Sequence, residues 1–137
     1  MLPTRPDPWP ARTASGVRPG PAELRLNHWA LSGDWTMGEQ ATRLNTANGK
    51  VAYRFRARDL HLVMGPAVPG TSVRFHVLLD GQPPGAAHGL DVDDQGHGTV
   101  TEQRLHQLIR HPGPITDRTF QITFLDPGVQ AYAFTFG

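Results

Sequence analysis

The alternation of hydrophobic and polar residues along the chain predicts a protein built from β-strands. Between residues 51 and 58, Val51, Tyr53 and Phe55 alternate with Arg54 and Arg56. Successive side chains of a strand point to opposite faces, so this period of two indicates strands with one buried face. The same pattern returns at residues 73–80, 120–124 and 129–136.

Shorter strands are predicted at residues 36–44, 61–64, 98–101 and 105–110. Turn residues rich in Gly, Pro, Asn and Asp separate nearly all of these segments. Many short strands between such turns are typical of a sandwich or barrel. We therefore predict an all-β, jelly-roll-like antiparallel β-sandwich of about eight or nine strands. A helix over residues 101–110 is the one local alternative, and the short length before Pro112 favours a strand there.

The predicted core comes from the apolar face of each strand. It consists of Trp35, Leu44, Val51, Tyr53, Phe55, Leu62, Phe75, Val77, Leu79, Leu105, Ile109, Phe120, Ile122 and Phe124.

The first 22 residues differ from the rest because they hold six prolines and two glycines. Each proline removes a backbone donor and fixes φ, so neither a helix nor a sheet ladder is favoured. We predict a Pro-rich linker or tail over residues 1–22, followed by the sandwich domain over residues 23–137.

Composition excludes several classes of function. The net charge of +1 argues against a domain that binds nucleic acid by bulk phosphate neutralisation. The chain has no cysteine, which excludes disulfides and thiolate chemistry. No apolar run reaches the roughly 20 residues of a membrane span, and the N-terminus has no apolar segment typical of a secretory signal. These features suit a cytoplasmic protein or a fragment of a longer one.

Six separated strings carry a resemblance to a known family. They are Asn27-His28-Trp29-Ala30-Leu31, Gly33-Asp34-Trp35, Tyr53-Arg54-Phe55-Arg56-Ala57, Val77-Leu78-Leu79-Asp80-Gly81, Arg104-Leu105-His106-Gln107-Leu108-Ile109-Arg110 and Ala131-Tyr132-Ala133-Phe134-Thr135-Phe136-Gly137. Together they resemble the C-terminal domain of DipZ-type cytochrome c biogenesis and thioredoxin-family proteins, over about residues 24–137.

The resemblance implies a jelly-roll sandwich similar to carbohydrate-binding modules. In that family the domain follows a membrane segment and a thioredoxin-like domain with a Cys-x-x-Cys motif, outside the cytoplasmic membrane. The cysteines are missing here, so the redox activity does not carry over to this chain. The family commonly reads Arg-Leu-Tyr-Gln-Leu where this chain has His106 in the tyrosine position.

A sugar-binding face is the first functional hypothesis, with the domain acting as a non-catalytic accessory module for a cell-envelope glycan. Such faces pair an aromatic ring with polar groups that read hydroxyls. The candidate ligand-binding residues are Trp29, Tyr53, Arg54, Arg56, Arg74, His76, His106 and Gln107. As an alternative, the same outward arginines form a face that docks on a thioredoxin-like redox domain and shapes its substrate cleft. A plain solvated face explains a row of arginines equally well.

A calcium site is a weaker hypothesis. Asp91, Asp93, Gln95 and Glu102 nearly reproduce the spacing of an EF-hand loop, with Gly96 at the turn. No convincing helix precedes Asp91, so a hairpin loop explains the same residues more simply. Apart from this possible structural calcium, we expect no cofactor.

Catalysis has little support in the sequence. The seven histidines never fall at the two- to four-residue spacing of a zinc site, and the three serines lie in no nucleophile-elbow motif. We expect no enzymatic activity.

Overall fold

The computed structural model describes residues 5–9 and 24–137 of the chain. Within these residues the chain forms ten strands: β1 (Trp29–Ser32), β2 (Trp35–Met37), β3 (Thr42–Leu44), β4 (Gly49–Arg56), β5 (Asp59–Pro66), β6 (Val73–Leu79), β7 (His97–Val100), β8 (Arg104–Arg110), β9 (Asp117–Phe124) and β10 (Val129–Phe136). One short 3₁₀ segment, Gly85–Ala87, lies between β6 and β7. The prediction of an all-β sandwich is confirmed.

The strand count exceeds the predicted eight or nine for two reasons. Strand β1 was not expected, and the segment predicted as one strand over residues 36–44 is a hairpin of β2 and β3. The amide of Gly38 donates to the carbonyl of Ala41 at 2.9 Å and closes the turn between them.

The strands form two five-stranded antiparallel sheets. Sheet A has the order β1-β4-β9-β6-β7, and sheet B has the order β2-β3-β10-β5-β8. Only β2–β3 and β6–β7 join neighbours within a sheet, and every other connection crosses between the sheets. The two layers therefore share one interior.

That interior contains the apolar residues that alternation predicted. Val51, Phe55, Phe75, Phe120 and Ile122 are each 1% exposed or less. Every predicted core residue is buried except two. Trp35 is half-buried and packs edge-on against Phe124, with ring centroids 6.0 Å apart. Leu105 is 40% exposed, so the prediction that it belongs to the core is wrong.

A β-bulge in β8 explains the error at Leu105. Leu60 pairs with Ile109, but the next residue of β5, His61, pairs with Gln107, which leaves Leu108 as an extra residue. An extra residue reverses the phase of alternation on the two sides of the bulge. Ile109 therefore faces the interior together with His106, and Leu105 faces outward. The prediction of a strand rather than a helix for this segment is confirmed.

A second bulge interrupts β10. Ala131 pairs with Met64 and Ala133 pairs with Val63, so Tyr132 has no partner residue on β5. Phe134 lies inside and contacts Tyr53 and Phe120, at centroid distances of 5.0 and 5.9 Å. Sequence alternation places Tyr132 on the same face as Phe134, and the bulge separates them.

The described part of the N-terminal segment lies against sheet A. The amide of Asp7 donates to the carbonyl of Trp29 at 2.7 Å, and Asp7 forms a parallel bridge with Ala30. Trp9 packs with Leu24, Ala30 and Ala52 in a small apolar cluster on the outer side of the sheet. The rest of the predicted tail, and its boundary at residue 22, lie outside the described residues.

Across residues 5–9 and 24–137, no helix is long and apolar enough to cross a membrane.

Candidate functional site

The predicted ligand-binding residues do not share one surface. The two rings expected to stack on a ligand are part of the core, since Trp29 is 1% exposed and Tyr53 is 5% exposed. They lie opposite each other on β1 and β4. Burial also raises the pKa of the Tyr53 hydroxyl. This placement corrects the expectation that Trp29 and Tyr53 face a ligand, because the inward phase of both strands turns the rings toward sheet B.

His106 is also an interior residue. It is 1% exposed, and neither ring nitrogen makes a hydrogen bond of normal geometry in the described part of the chain, although the backbone of Arg104 and that of Leu62 approach the ring. Burial lowers the pKa of the ring below its ordinary value of 6.5, and the nearby positive charge of Arg104 acts in the same direction. The β8 bulge that turns Leu105 outward turns His106 inward, which corrects its assignment to a ligand-binding face.

The predicted arginines do lie on one surface, the outer face of sheet A. Each is engaged there. Arg54 donates to the hydroxyl of Thr119 at 2.7 Å, and Arg56 forms an ion pair of 3.2 Å with Asp117. Both contacts cross from β4 to β9, so these guanidiniums connect neighbouring strands.

Arg74 and His76 on β6 are held in the same way. Arg74 donates two hydrogen bonds to the carboxylate of Asp126, from Nη2 at 2.8 Å and from Nε at 3.0 Å. The ring of His76 stacks on His97 at a centroid distance of 4.6 Å, and its Nε2 lies 2.9 Å from the carbonyl of Gln95. The face is brought together as predicted, but these polar side chains already have partners, and the Trp9 ring on the outer side of the sheet packs with Leu24, Ala30 and Ala52.

The loop that was predicted to bind calcium forms a polar turn. The carboxylate of Asp91 accepts bonds from Arg104 at 2.6 Å and from the amide of Gln107 at 2.6 Å. Although burial opposes it, these bonds hold the pKa of Asp91 below its ordinary value. The carboxylate of Asp93 accepts from the amides of Gln95 and His97 within the turn.

The last carboxylate of that motif, Glu102, has its Oε1 3.6 Å from the Nε of Arg104. Among the described residues, no group of three or more His, Cys, Asp and Glu side chains is placed to hold a metal ion. The EF-hand spacing therefore does not bring its oxygens together here.

The outer face of sheet B also has an aromatic ring, that of Tyr132. Tyr132 lies at the β10 bulge, and its hydroxyl donates to the Oε1 of Gln130 at 2.8 Å. Gln130 alternates with the buried residues Val129 and Ala131, so its side chain points outward. The hydrogen bond therefore holds the Tyr132 ring on the outer surface.

Apolar and polar rows flank this ring. Ala133, Val63 and Leu105 are paired across β10, β5 and β8, which gives an outward apolar row about 10 Å wide at the usual strand spacing. The next row consists of Thr135, His61 and Gln107. Gln107 is thus the one predicted ligand residue on this surface. We call this surface the Tyr132 face.

The pattern of the sequence did not predict most of the Tyr132 face. Tyr132 is the extra residue of one bulge and Leu105 lies three residues before the extra residue of the other, so an unbroken alternation places Tyr132 on the face of Phe134 and Leu105 in the core. The only local signal is the small residues on either side of Tyr132, and these do not predict a bulge by themselves.

Comparison with known proteins places the chain in a family. A sequence family described as "Thioredoxin like C-terminal domain" matches residues 18–137. The match covers most of the chain, and the protein belongs to this family. No curated protein sequence matches the chain.

Similar folds occur in solved structures of carbohydrate esterases. A family two carbohydrate esterase from Clostridium thermocellum, in complex with cellohexaose, has a TM-score of 0.58 at 14% identity, over 80% of this chain and 31% of the esterase. A family two carbohydrate esterase from Cellvibrio japonicus has a TM-score of 0.58 at 10% identity, over 79% of this chain and 30% of the esterase. The chain spans about a third of the length of these enzymes. At these identities the similarity shows the fold.

Proposed function

From its membership of the thioredoxin-like C-terminal domain family, we propose that this protein is a non-catalytic binding module that recognises a cell-envelope glycan. The Tyr132 face is the binding surface. The observation that carries the proposal is the outward Tyr132 ring, held by the hydrogen bond from its hydroxyl to Gln130. The compartment that follows is extracytoplasmic, and the proposal requires no cofactor.

The chemistry of this face suits a sugar. An aromatic ring can cover the apolar face of a pyranose, while amide, imidazole and hydroxyl groups read its hydroxyls. The second row supplies such groups, because the ring of His61 and the hydroxyl of Thr135 lie 3.3 Å apart beside Gln107. Arg43 on β3 is exposed, pairs with Gln130 through the backbone, and has no side-chain partner among the described residues. These groups surround the ring on more than one side.

The experiment is a titration followed by backbone amide chemical shifts. Cellohexaose is the first probe, because an esterase of similar fold was solved with it, and fragments of envelope glycans follow. We expect saturable shifts on β5, β8 and β10 with a Kd between micromolar and millimolar, or roughly 4 to 8 kcal/mol.

Matched variants locate the site. Tyr132→Ala should weaken binding at least about tenfold, equal to about 1.4 kcal/mol, whereas Tyr132→Phe should retain most of it because the ring remains. Arg56→Gln, on the outer face of sheet A, is the control and should bind as the parent does. If no glycan gives a saturable shift, or if Tyr132→Ala binds unchanged, the proposal fails.

Docking on a thioredoxin-like domain is a second candidate. The family description supports it, and so does Leu105, which is 40% exposed at the β8 edge of the Tyr132 face. Joining this domain to a thioredoxin-like domain by a flexible linker raises their effective concentration. Shifts on the Tyr132 face that Leu105→Glu removes would support docking, and an unchanged spectrum would contradict it.

A further inference from the structure

A groove of about 630 Å³ opens at one end of the sandwich. Three connections form it: the turn between β4 and β5, the 3₁₀ segment with the residue after it, and the connection from β8 to β9. Its main lining residues are Arg58, His88, Arg110, His111, Pro114 and Ile115. The volume lies within the usual range for a small-molecule site.

Only one of the two arginines in this groove is free. The guanidinium of Arg58 is paired with Asp59 and donates hydrogen bonds of 2.9 and 3.1 Å to the two carboxylate oxygens. The bond from Arg58 holds the pKa of Asp59 below its ordinary value, and the charge of Arg110 adds to this effect. Arg110 itself has no side-chain hydrogen bond or ion pair to any described residue, and it is exposed. Its planar fork remains available for a carboxylate.

His88 offers a hydrogen-bond acceptor beside this cation. Its Nδ1 lies 2.9 Å from the carbonyl oxygens of Gly89 and Val92. Because carbonyl oxygens can only accept, Nδ1 must carry the proton and donate it. In the neutral ring the other nitrogen, Nε2, is then an acceptor, and it has no partner in the described part of the chain. A ligand hydroxyl is its natural complement.

The rest of the groove combines apolar side chains with the ring of His111. Ile115 is 50% exposed, and the prolines at positions 112 and 114 fix the backbone on either side of Gly113. The His111 ring is fixed by Arg118, whose guanidinium lies 2.8 Å from its Nε2. Arg118 is in turn paired with Asp80. The prolines and Ile115 can contact the hydrocarbon part of a ligand.

We propose that this groove binds an acidic sugar, with Arg110 pairing the carboxylate of a uronate and His88 accepting a bond from a neighbouring hydroxyl. The inference rests on the proposed function in taking a glycan as the ligand. It adds that the glycan carries uronate residues, and it identifies a second contact point at the end of β8, three residues beyond Gln107 of the Tyr132 face.

The local charge favours an anionic ligand. Arg58, Asp59 and Arg110 together carry one net positive charge. This charge attracts an anion of either kind.

The test is a titration with trigalacturonate, and its fully methyl-esterified form, which has no charged carboxylate, is the control ligand. We expect shifts at residues 86–88 and 110–115 for the acid, and binding at least about tenfold weaker for the ester. Arg110→Gln should remove the difference between the two, and Arg110→Lys should retain part of it. Arg56→Gln is the control, and thermal melting of each variant verifies its fold.

Several outcomes overturn the inference. The first is equal binding of the acid and its ester, and the second is unchanged binding by Arg110→Gln. Glutarate, which has carboxylates without sugar hydroxyls, must bind more weakly than trigalacturonate and must lose less affinity in His88→Phe. Inorganic phosphate that binds at Arg110 more tightly than the uronate also contradicts the assignment.

The two proposals fail separately. If neutral oligosaccharides bind through Tyr132 while uronates give no shift in the groove, the binding-module function stands and this inference falls. If uronates bind through Arg110 while Tyr132→Ala changes the binding of no glycan, the uronate site in the groove is supported and the proposed role of the Tyr132 face is contradicted.

Discussion

Arg74 donates three hydrogen bonds to the carboxylate of Asp126, two from its guanidinium and one from its backbone amide, at 2.8 to 3.0 Å. The pair ties the start of β6 to the loop that follows β9. Bonds from the side chain and then the backbone of Arg74 lower the pKa of the Asp126 carboxyl from its ordinary 3.8 to about 2. Arg74, which the sequence suggested as a ligand-binding residue, therefore connects two segments of the fold instead.

The first prediction concerns acid stability at this pair. Because the pKa of Asp126 is lower in the folded protein than in the unfolded chain, its contribution to stability is complete above about pH 4 and is lost as the pH falls toward 2. Asp126→Asn should therefore be less stable than the parent at pH 7, and the difference should shrink toward pH 2. Urea unfolding at a series of pH values measures it. The exposed Asp94→Asn is the control, and a constant difference at all pH values would contradict the assignment.

The second prediction concerns the buried His106. Its ring nitrogens make no hydrogen bond of normal geometry among the described residues, and an unsatisfied buried polar group usually costs about 1–3 kcal/mol. His106→Leu, of similar size, should raise the free energy of unfolding by an amount in that range. A destabilised variant would show that the ring has polar contacts that compensate its burial.

The same histidine makes stability depend on pH in a specific window. Its pKa is lower in the folded state than the ordinary 6.5, so the unfolded chain takes up the proton first. Stability is therefore unaffected by this proton above about pH 6.5 and declines as the pH falls below that value, because the unfolded chain binds the proton more readily than the folded protein does. Thermal melts between pH 8 and pH 5 should show a smaller decline for His106→Leu than for the parent. His61→Leu, on the outer face, is the control and should decline as the parent does.

The third prediction tests the bulge in β8. Leu108 is fully buried, so Leu108→Ala should cost about 2–5 kcal/mol, the usual range for a core leucine. Leu105→Ala, three residues away and 40% exposed, should change stability by about 0.5 kcal/mol or less. Chemical denaturation compares the two. Without the bulge, Leu105→Ala would be the costly change.

The fourth prediction compares two glycines of nearly the same φ. Gly96 has φ of 91° and Gly128 has φ of 94°, so an alanine is strained by about 1–2 kcal/mol at either position. At Gly96 the added Cβ would also lie 2.2 Å from the carbonyl oxygen of Val77, whereas at Gly128 it would meet nothing within 4 Å. Gly96→Ala should therefore be more destabilising than Gly128→Ala by about 1–3 kcal/mol, the usual cost of overpacking. Equal losses would mean that Gly96 does not approach β6 this closely.

The alternating pattern was sufficient to predict the sandwich and most of its core. Phe75, Val77, Phe120 and Ile122 are interior because period two is a local property that any pleated strand imposes on its own side chains. The rings of Trp29 and Tyr53 show the limit of that argument. Both follow the pattern into the core, although a ligand-binding role had been expected of them.

The candidate sites depended on relationships that no single strand contains. Tyr132 and Leu105 point outward because bulges form where β10 and β8 pair with β5, and the register of a pair depends on both strands. The arginines of sheet A are engaged because Asp117 and Asp126, more than fifty residues away, are brought beside Arg56 and Arg74. Periodicity in one segment thus determined which residues form the two layers. Pairing between distant segments decided which side chains remain free to bind a ligand.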